Sequence, residues 1–198
     1  VETAQAATFT VMQRIDQTDS MIHFQDSWYP ATSGSFFDGS YAYTFKKAAI
    51  NVSFDGTRID WIGTKGALYG IASVSLDGAE PVLVDLYAPY NSHRQLLWSA
   101  QDLTDGRHSL HIEWTGAKNE LATNNYINID ALDVAGDLVA SRFEQDDARI
   151  DYTGSWYPGD SGSYSDGSYT YTFKTAAAHI GFDGTAFDLV GSTGRIFG

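Results

Sequence analysis

The sequence predicts an all-β fold: a jelly-roll β-sandwich built as one complete module followed by the N-terminal half of a second copy. Three observations carry this expectation. Short alternating or apolar runs dominate the first 140 residues, Asp-Gly turn signals separate them, and the chain repeats itself at an offset of 128 residues.

In chain order, residues 1–13 are rich in Ala and Thr and read as a linker or a preceding strand ahead of a module spanning 14–138. Within that module Tyr41–Phe45, Ile50–Phe54, Ile59–Ile62, Ile71–Leu76, Val82–Leu86, Gln95–Trp98, His108–Trp114 and Tyr126–Val134 have the composition and periodicity of strands. Asp55-Gly56, Asp77-Gly78 and Asp105-Gly106 carry the chemistry of tight hairpin turns, and residues 26–40 read as a loop. Ala48–Ala49 and its counterpart Ala176–Ala178 hint at helix but are too short to count. Residues 139–141 link to the half-copy at 142–198.

The repeat is dense. Ser27-Trp28-Tyr29-Pro30 recurs as Ser155-Trp156-Tyr157-Pro158, Asp38-Gly39-Ser40-Tyr41 as Asp166-Gly167-Ser168-Tyr169, and Phe54-Asp55-Gly56-Thr57 as Phe182-Asp183-Gly184-Thr185. The register runs without a gap from Arg14/Arg142 to Gly70/Gly198, with roughly half the positions identical, which fixes the module length. Half a sandwich cannot bury its apolar face alone. Residues 142–198 therefore belong to a longer repeat protein, or complete their sheet on another chain.

Composition narrows the function classes. A net charge of −13 with no basic stripe argues against a nucleic-acid partner, which needs clustered Lys and Arg. No apolar run approaches the roughly 20 residues that span a bilayer, so no membrane insertion is expected. With no cysteine there is neither a disulfide staple nor a thiolate metal site.

The strings Arg14-Ile15-Asp16-Gln17-Thr18-Asp19-Ser20, Gly39-Ser40-Tyr41, Asp60-Trp61-Ile62-Gly63-Thr64-Lys65-Gly66, Tyr69-Gly70-Ile71-Ala72-Ser73-Val74, Asp85-Leu86-Tyr87 and Tyr126-Ile127-Asn128-Ile129-Asp130-Ala131 resemble the galactose-binding-domain-like modules repeated in large exported bacterial proteins. The resemblance implies a jelly roll appended to an enzyme or surface protein, an extracellular or cell-surface location, and in some members a structural calcium ion. Fold analogy by itself does not give function.

If successive strands run antiparallel, every second connection shares an end of the sandwich. The Asp-Gly turns then fall at one end with residues 26–40, and the longer connections 64–70, 87–94 and 115–125 at the other. Those three loops carry Lys65, Tyr69, Tyr87, Tyr90, Arg94 and Asn124. Aromatic faces suit sugar C–H groups, and Lys, Arg and Asn supply directed donors to hydroxyls, so these six are the expected carbohydrate-binding residues. Trp28 and its repeat Trp156 read either as a stacking platform or as a cap on the core. Trp61, which becomes Leu189, reads as core, as do the strand residues Trp98 and Trp114. For calcium the oxygen-rich candidates are Asp16 and Asp19 near the start and Asp130 and Asp133 near the end, which meet if the first and last strands pair.

No catalytic constellation emerges. Twenty-five carboxylates make chance pairs inevitable, His108 and His111 lie three apart on a strand and so face opposite ways, and no Gly-x-Ser-x-Gly elbow or phosphate loop is present. The expectation is a non-catalytic module that binds poly- or oligosaccharide. The rival is a structural spacer or fibre repeat that self-associates through its half-module.

Overall fold

In the computed structural model, residues 11–182, 187 and 189–192 are described. Residues 1–10 of the expected linker, the second-copy Asp183-Gly184-Thr185 and the repeat's end at Gly198 lie outside them. The chain divides into two units, Val1–Arg142 and Phe143–Gly198.

Among the described residues the first unit contains eleven strands: β1 (Met12–Asp16), β2 (His23–Asp26), β3 (Tyr29–Thr32), β4 (Ser40–Thr44), β5 (Ala48–Lys65), β6 (Ile71–Leu76), β7 (Val82–Asp85), β8 (Ser92–Ala100), β9 (Arg107–Trp114), β10 (Ile127–Ile129) and β11 (Ala131–Val139). Its one helical feature among the described residues is a single 3-10 turn, Phe37–Gly39, so the fold is all-β. One sheet runs β1-β11-β5-β9-β6-β7, with β2 and β8 also pairing to β5; a second sheet runs β10-β4-β3. All pairings within the two sheets are antiparallel. Val52, Phe54, Trp61, Ile112 and Leu132 from the first sheet share one buried cluster with Ala42, Ile127 and Ile129 from the second, which makes the unit a jelly-roll sandwich.

Strand β5 differs from expectation. The Asp55-Gly56 pair does not turn the chain: residues 48–65 form one continuous strand, and Ala48–Ala49, the hint of helix, opens it. Its first half is flanked by β2 and β9 and its second half by β11 and β8. Gly56 serves close approach and not reversal, because it lies opposite Gly136 at a bulge where Thr57 of β5 is the extra residue. A Cβ on Gly56 would run into the Ala135 carbonyl oxygen, and one on Gly136 into the Asp55 carbonyl oxygen. Gly136 also has φ +144°, open in practice to glycine alone. Asp77-Gly78 is a true turn, with φ +53° and +70°, and Asp105-Gly106 leads into β9.

Burial follows the pleat. Trp61, Phe54, Ile50, Ile59 and Ile112 are fully buried. Each contributes about 1.5–3 kcal/mol relative to exposure. Trp61 is core as expected, and its indole N–H donates to the Asn128 carbonyl at 3.1 Å. Trp98 and Trp114 pack against the same cluster. Trp28 does so too, with its N–H on the Ala49 carbonyl at 3.2 Å and its ring edge-on to Phe24, so it caps the core.

The second unit repeats the opening of the first: β12 (Ile150–Gly154) pairs with β15 (Ala176–Ile180), and β13 (Tyr157–Asp160) with β14 (Ser168–Tyr171). No described helix is long and apolar enough to cross a membrane.

Gly136→Ala must adopt a φ that alanine avoids and push the β5 backbone aside. We expect a loss of at least about 2 kcal/mol in urea unfolding, whereas Gly34→Ala, with nothing near its would-be Cβ, should leave stability unchanged.

Candidate functional site

The loops 66–70, 86–91 and 115–126 meet at one end of the first unit, as the parity of the strands requires. Backbone bonds lock them together: Gly66 N–H to Leu86 O (3.1 Å), Leu86 N–H to Gly70 O (2.9 Å), Ile71 N–H to Ala117 O (3.0 Å) and Thr123 N–H to Ala67 O (2.8 Å). Side chains reinforce them. The Asp85 carboxylate accepts from the Tyr87 backbone N–H and from the Asn119 amide, both at 2.8 Å, and Lys118 donates to the Ala122 carbonyl at 2.8 Å. Lys118 and Asn119 are therefore occupied in holding the loops.

Of the six expected sugar contacts, Tyr90 is the most open, at 83% exposure on the tip of its loop. Tyr87, Lys65 and Asn124 are half-buried. Tyr69 is not available. It is 5% exposed, belongs to the core cluster, and its phenol is pushed far above the ordinary range by burial and by its contact with Tyr41. A ring in that position fills space, which is equally why phenylalanine replaces it in the second copy. Arg94 is committed elsewhere: held at φ +54°, it donates to the carbonyls of Gly34 (3.3 Å) and Phe36 (2.5 Å).

That last contact corrects the placement of residues 26–40. They were expected at the opposite end, together with the Asp-Gly turns, yet residues 34–36 lie against Arg94. The reason is β5: once Asp55-Gly56 ceases to count as a reversal, everything before it changes ends relative to everything after. Part of the segment is also strand, β3, and not loop.

The four calcium candidates are engaged in different ways. Asp133 grips the Arg14 guanidinium with both oxygens, each at 2.6 Å, and Asp19 closes its own turn onto the Met21 N–H at 2.8 Å. Asp133 thus has both oxygens occupied, and β1 and β11 pair as the calcium reading required. Asp16 closes its own turn as Asp19 does, its Oδ1 accepting from the Thr18 N–H at 2.9 Å and from the Thr18 hydroxyl at 2.6 Å, and it lies near Asp130. Asp130 is fully buried; its Oδ1 accepts the Phe37 N–H at 2.8 Å while Oδ2 has no partner among the described residues. Between them the Gln17 amide accepts from Ser40 Oγ at 2.7 Å and donates to the Asp130 carbonyl at 2.6 Å and to Asp16 Oδ2 at 3.1 Å. No three His, Cys, Asp or Glu side chains converge among the described residues. A cation there would draw most of its oxygens from carbonyls.

Desolvation pushes the Asp130 carboxyl above its usual range, and Asp16 adds to this as a like charge; the Phe37 N–H and Arg94 pull it back. As pH rises past the carboxyl's unfolded value near 4, the unfolded chain loses this proton before the folded chain does. Stability attributable to Asp130 therefore falls until its raised folded value is passed, and the full cost of the buried charge stands at neutral pH. Asp130→Asn keeps the acceptor for Phe37 and removes the charge. In metal-free buffer its Tm should equal or exceed that of the parent at pH 7, with the difference vanishing near pH 3.

One feature escaped the sequence reading. On β4, Ala42 and Thr44 are buried, so Tyr41, Tyr43 and the following Phe45 face away from the core. Tyr29 lies directly across from Tyr43, and Tyr126 enters from the neighbouring loop, giving ring-to-ring distances of 5.1 Å (Tyr29–Phe45), 5.4 Å (Phe45–Tyr126), 5.6 Å (Tyr126–Tyr43) and 5.7 Å (Tyr43–Tyr41). The period-two aromatics of Tyr41-Ala42-Tyr43-Thr44-Phe45, repeated at Tyr169-Thr170-Tyr171-Thr172-Phe173, were the available signal.

No family model matches the chain. It is 33% identical, over 99 residues and half its length, to the A type blood N-acetyl-alpha-D-galactosamine deacetylase of Flavonifractor plautii. Over 189 residues, 93% of its length, it is 27% identical to the A type blood alpha-D-galactosamine galactosaminidase of the same organism. The chain spans 13% and 17% of the lengths of these two relatives. Among solved structures, the CBM35 from Cellvibrio japonicus Abf62 overlays with a TM-score of 0.43 at 18% identity, covering 67% of this chain and 99% of that one. A family two carbohydrate esterase from Cellvibrio japonicus overlays at 0.45 with 12% identity, covering 68% and 37%.

Proposed function

We propose that this chain is a non-catalytic carbohydrate-binding segment of a larger exported protein, and that the first unit takes a sugar at the three-loop end. The observation that carries the reading is an 83%-exposed Tyr90 on loops that are otherwise cross-braced by backbone bonds. A rigid scaffold presenting an open aromatic ring, with Lys65, Tyr87 and Asn124 at the same end, matches what sugar recognition asks for: an apolar face for C–H groups and donors for hydroxyls.

The relatives support the binding role over a catalytic one. A deacetylase cleaves an amide and a galactosaminidase a glycosidic bond, yet both contain a segment like this one, and the two alignments overlap over most of the shorter. What two different chemistries share is more economically the sugar than the reaction. Galactose-type and galactosamine-type glycans are accordingly the first ligands to try.

A calcium ion on Asp16 and Asp130 is the second element of the proposal. It would neutralise a like-charged pair and give the unpartnered Asp130 Oδ2 a ligand. Its role is structural, fixing residues 36–40 against β1 and β11 through contacts that Phe37 and Gln17 already make.

Two measurements check these statements. In calorimetric titration with galactose, N-acetylgalactosamine and galactosamine-terminated oligosaccharides, Tyr90→Ala should weaken binding at least ten-fold, about 1.4 kcal/mol, with Tm unchanged because the ring is exposed. Absence of any binding, or binding intact in the Tyr90→Ala, Tyr87→Ala double variant, would sink the loop site. Separately, saturating calcium should raise the parent's stability by about 2.7 kcal/mol at a hundred times Kd, and Asp130→Asn should abolish that gain.

A further inference from the structure

The outward face of the β3–β4–β10 sheet has properties that core packing does not require. Its rings are half-buried and not buried, and among the described residues the hydroxyls of Tyr29, Tyr43 and Tyr126 make no hydrogen bond, whereas Tyr41 lies against Tyr69. The Lys46 ammonium lies 5.8 Å from the Tyr29 ring centre and 5.4 Å from that of Phe45, capping one end of the row. Tyr126 packs beside the row against both Phe45 and Tyr43, and at the far end Tyr41 lies against Tyr69; Tyr126 and Tyr69 both belong to the loops that form the candidate sugar site.

The second unit builds the same row. Tyr157, Phe173, Tyr171 and Tyr169 stand at 4.8, 6.4 and 5.7 Å from one another in turn, with Lys174 again over Tyr157 and Phe173. Elsewhere the copies drift: Trp61 becomes Leu189, Phe36 becomes Tyr164 and Phe37 becomes Ser165. A packed aromatic position tolerates the loss of a hydroxyl, yet tyrosine stays tyrosine at all three positions of the row that the half-copy includes.

The charge pattern points the same way. In a chain of net charge −13, no acidic residue occurs between Gly39 and Phe54 or between Gly167 and Phe182, the two segments that supply β4 and its lysine. The face therefore offers phenol hydroxyls, ring edges and a lysine, without carboxylates competing for a ligand's hydroxyls. Successive rings are spaced on the order of one hexose length, and the row adjoins Tyr126 and Tyr69 of the loops.

We infer that this aromatic row is an extended subsite for the interior residues of a neutral polysaccharide chain whose terminal residue sits at the three-loop end. The inference rests on the sugar-binding reading of that end. It predicts that affinity grows with chain length, which a site restricted to the loop tip would not produce.

The test uses the whole chain, titrated calorimetrically with the monosaccharide and hexasaccharide of the galacto-, gluco-, manno- and xylo- series, together with NMR of ring-labelled tyrosine. At least one hexasaccharide should bind ten-fold or more tighter than its monosaccharide and shift the Tyr29 and Tyr43 ring signals. Tyr43→Thr combined with Tyr171→Thr removes the ring in both copies and should return hexasaccharide affinity to the monosaccharide level without altering monosaccharide binding. If monosaccharides bind and hexasaccharides bind no tighter, or the Tyr29 and Tyr43 signals of the unmodified chain stay still, the row is packing only and the loop site stands alone. If no sugar binds at any length, both readings fall together. The ring signals decide the matter even if the double variant does not fold.

Discussion

The first unit depends on one continuous strand. β5 runs 18 residues and pairs with four others: β2 and β11 along one edge, β9 and β8 along the other. A strand that long stays buried only if its neighbours change along its length, and the glycine pair at 56 and 136 is where they do. With no Cβ on either side, the two backbones can approach closely enough for β11 to slip one residue and continue pairing. Ile59 and Trp61 beyond that point then reach the same core as Ile50, Val52 and Phe54 before it.

From that arrangement the two ends of the sandwich follow. β5 delivers the chain directly into loop 66–70, and its second half receives β8, whose first residues hold Arg94. Arg94 in turn carries residues 34–36, and Asp130, at the junction of β10 and β11, anchors Phe37 from below. The loop end is thus braced by a buried carboxylate and a strained arginine. Its open ring, Tyr90, stands clear of that framework, so a ligand contact there costs the fold little.

The aromatic row illustrates how a β-sheet produces a surface without design at any single residue. Alternation sends Ala42 and Thr44 inward, where small groups fit under Ile127 and Ile129, and leaves the large rings outside. Cross-strand pairing sets Tyr29 against Tyr43, and the return of the chain through Tyr126 fills the next place. The second unit forms the β13–β14 part of this pattern from the same sequence periodicity alone.

By itself the sequence left Trp28 open and determined the all-β class, the 128-residue repeat, the grouping of three long loops and the core roles of Trp61, Trp98 and Trp114. These are properties of local periodicity and of the count of reversals between neighbouring strands. Only the tertiary structure decided that Asp55-Gly56 is a crossing point. The same two residues serve a turn or a close approach equally well, and the difference lies in Gly136, 80 residues away. It also decided that Tyr69 is buried, that Asp133 belongs to Arg14, and that Asp130 keeps an oxygen without a partner, because each of these depends on what a distant strand brings alongside.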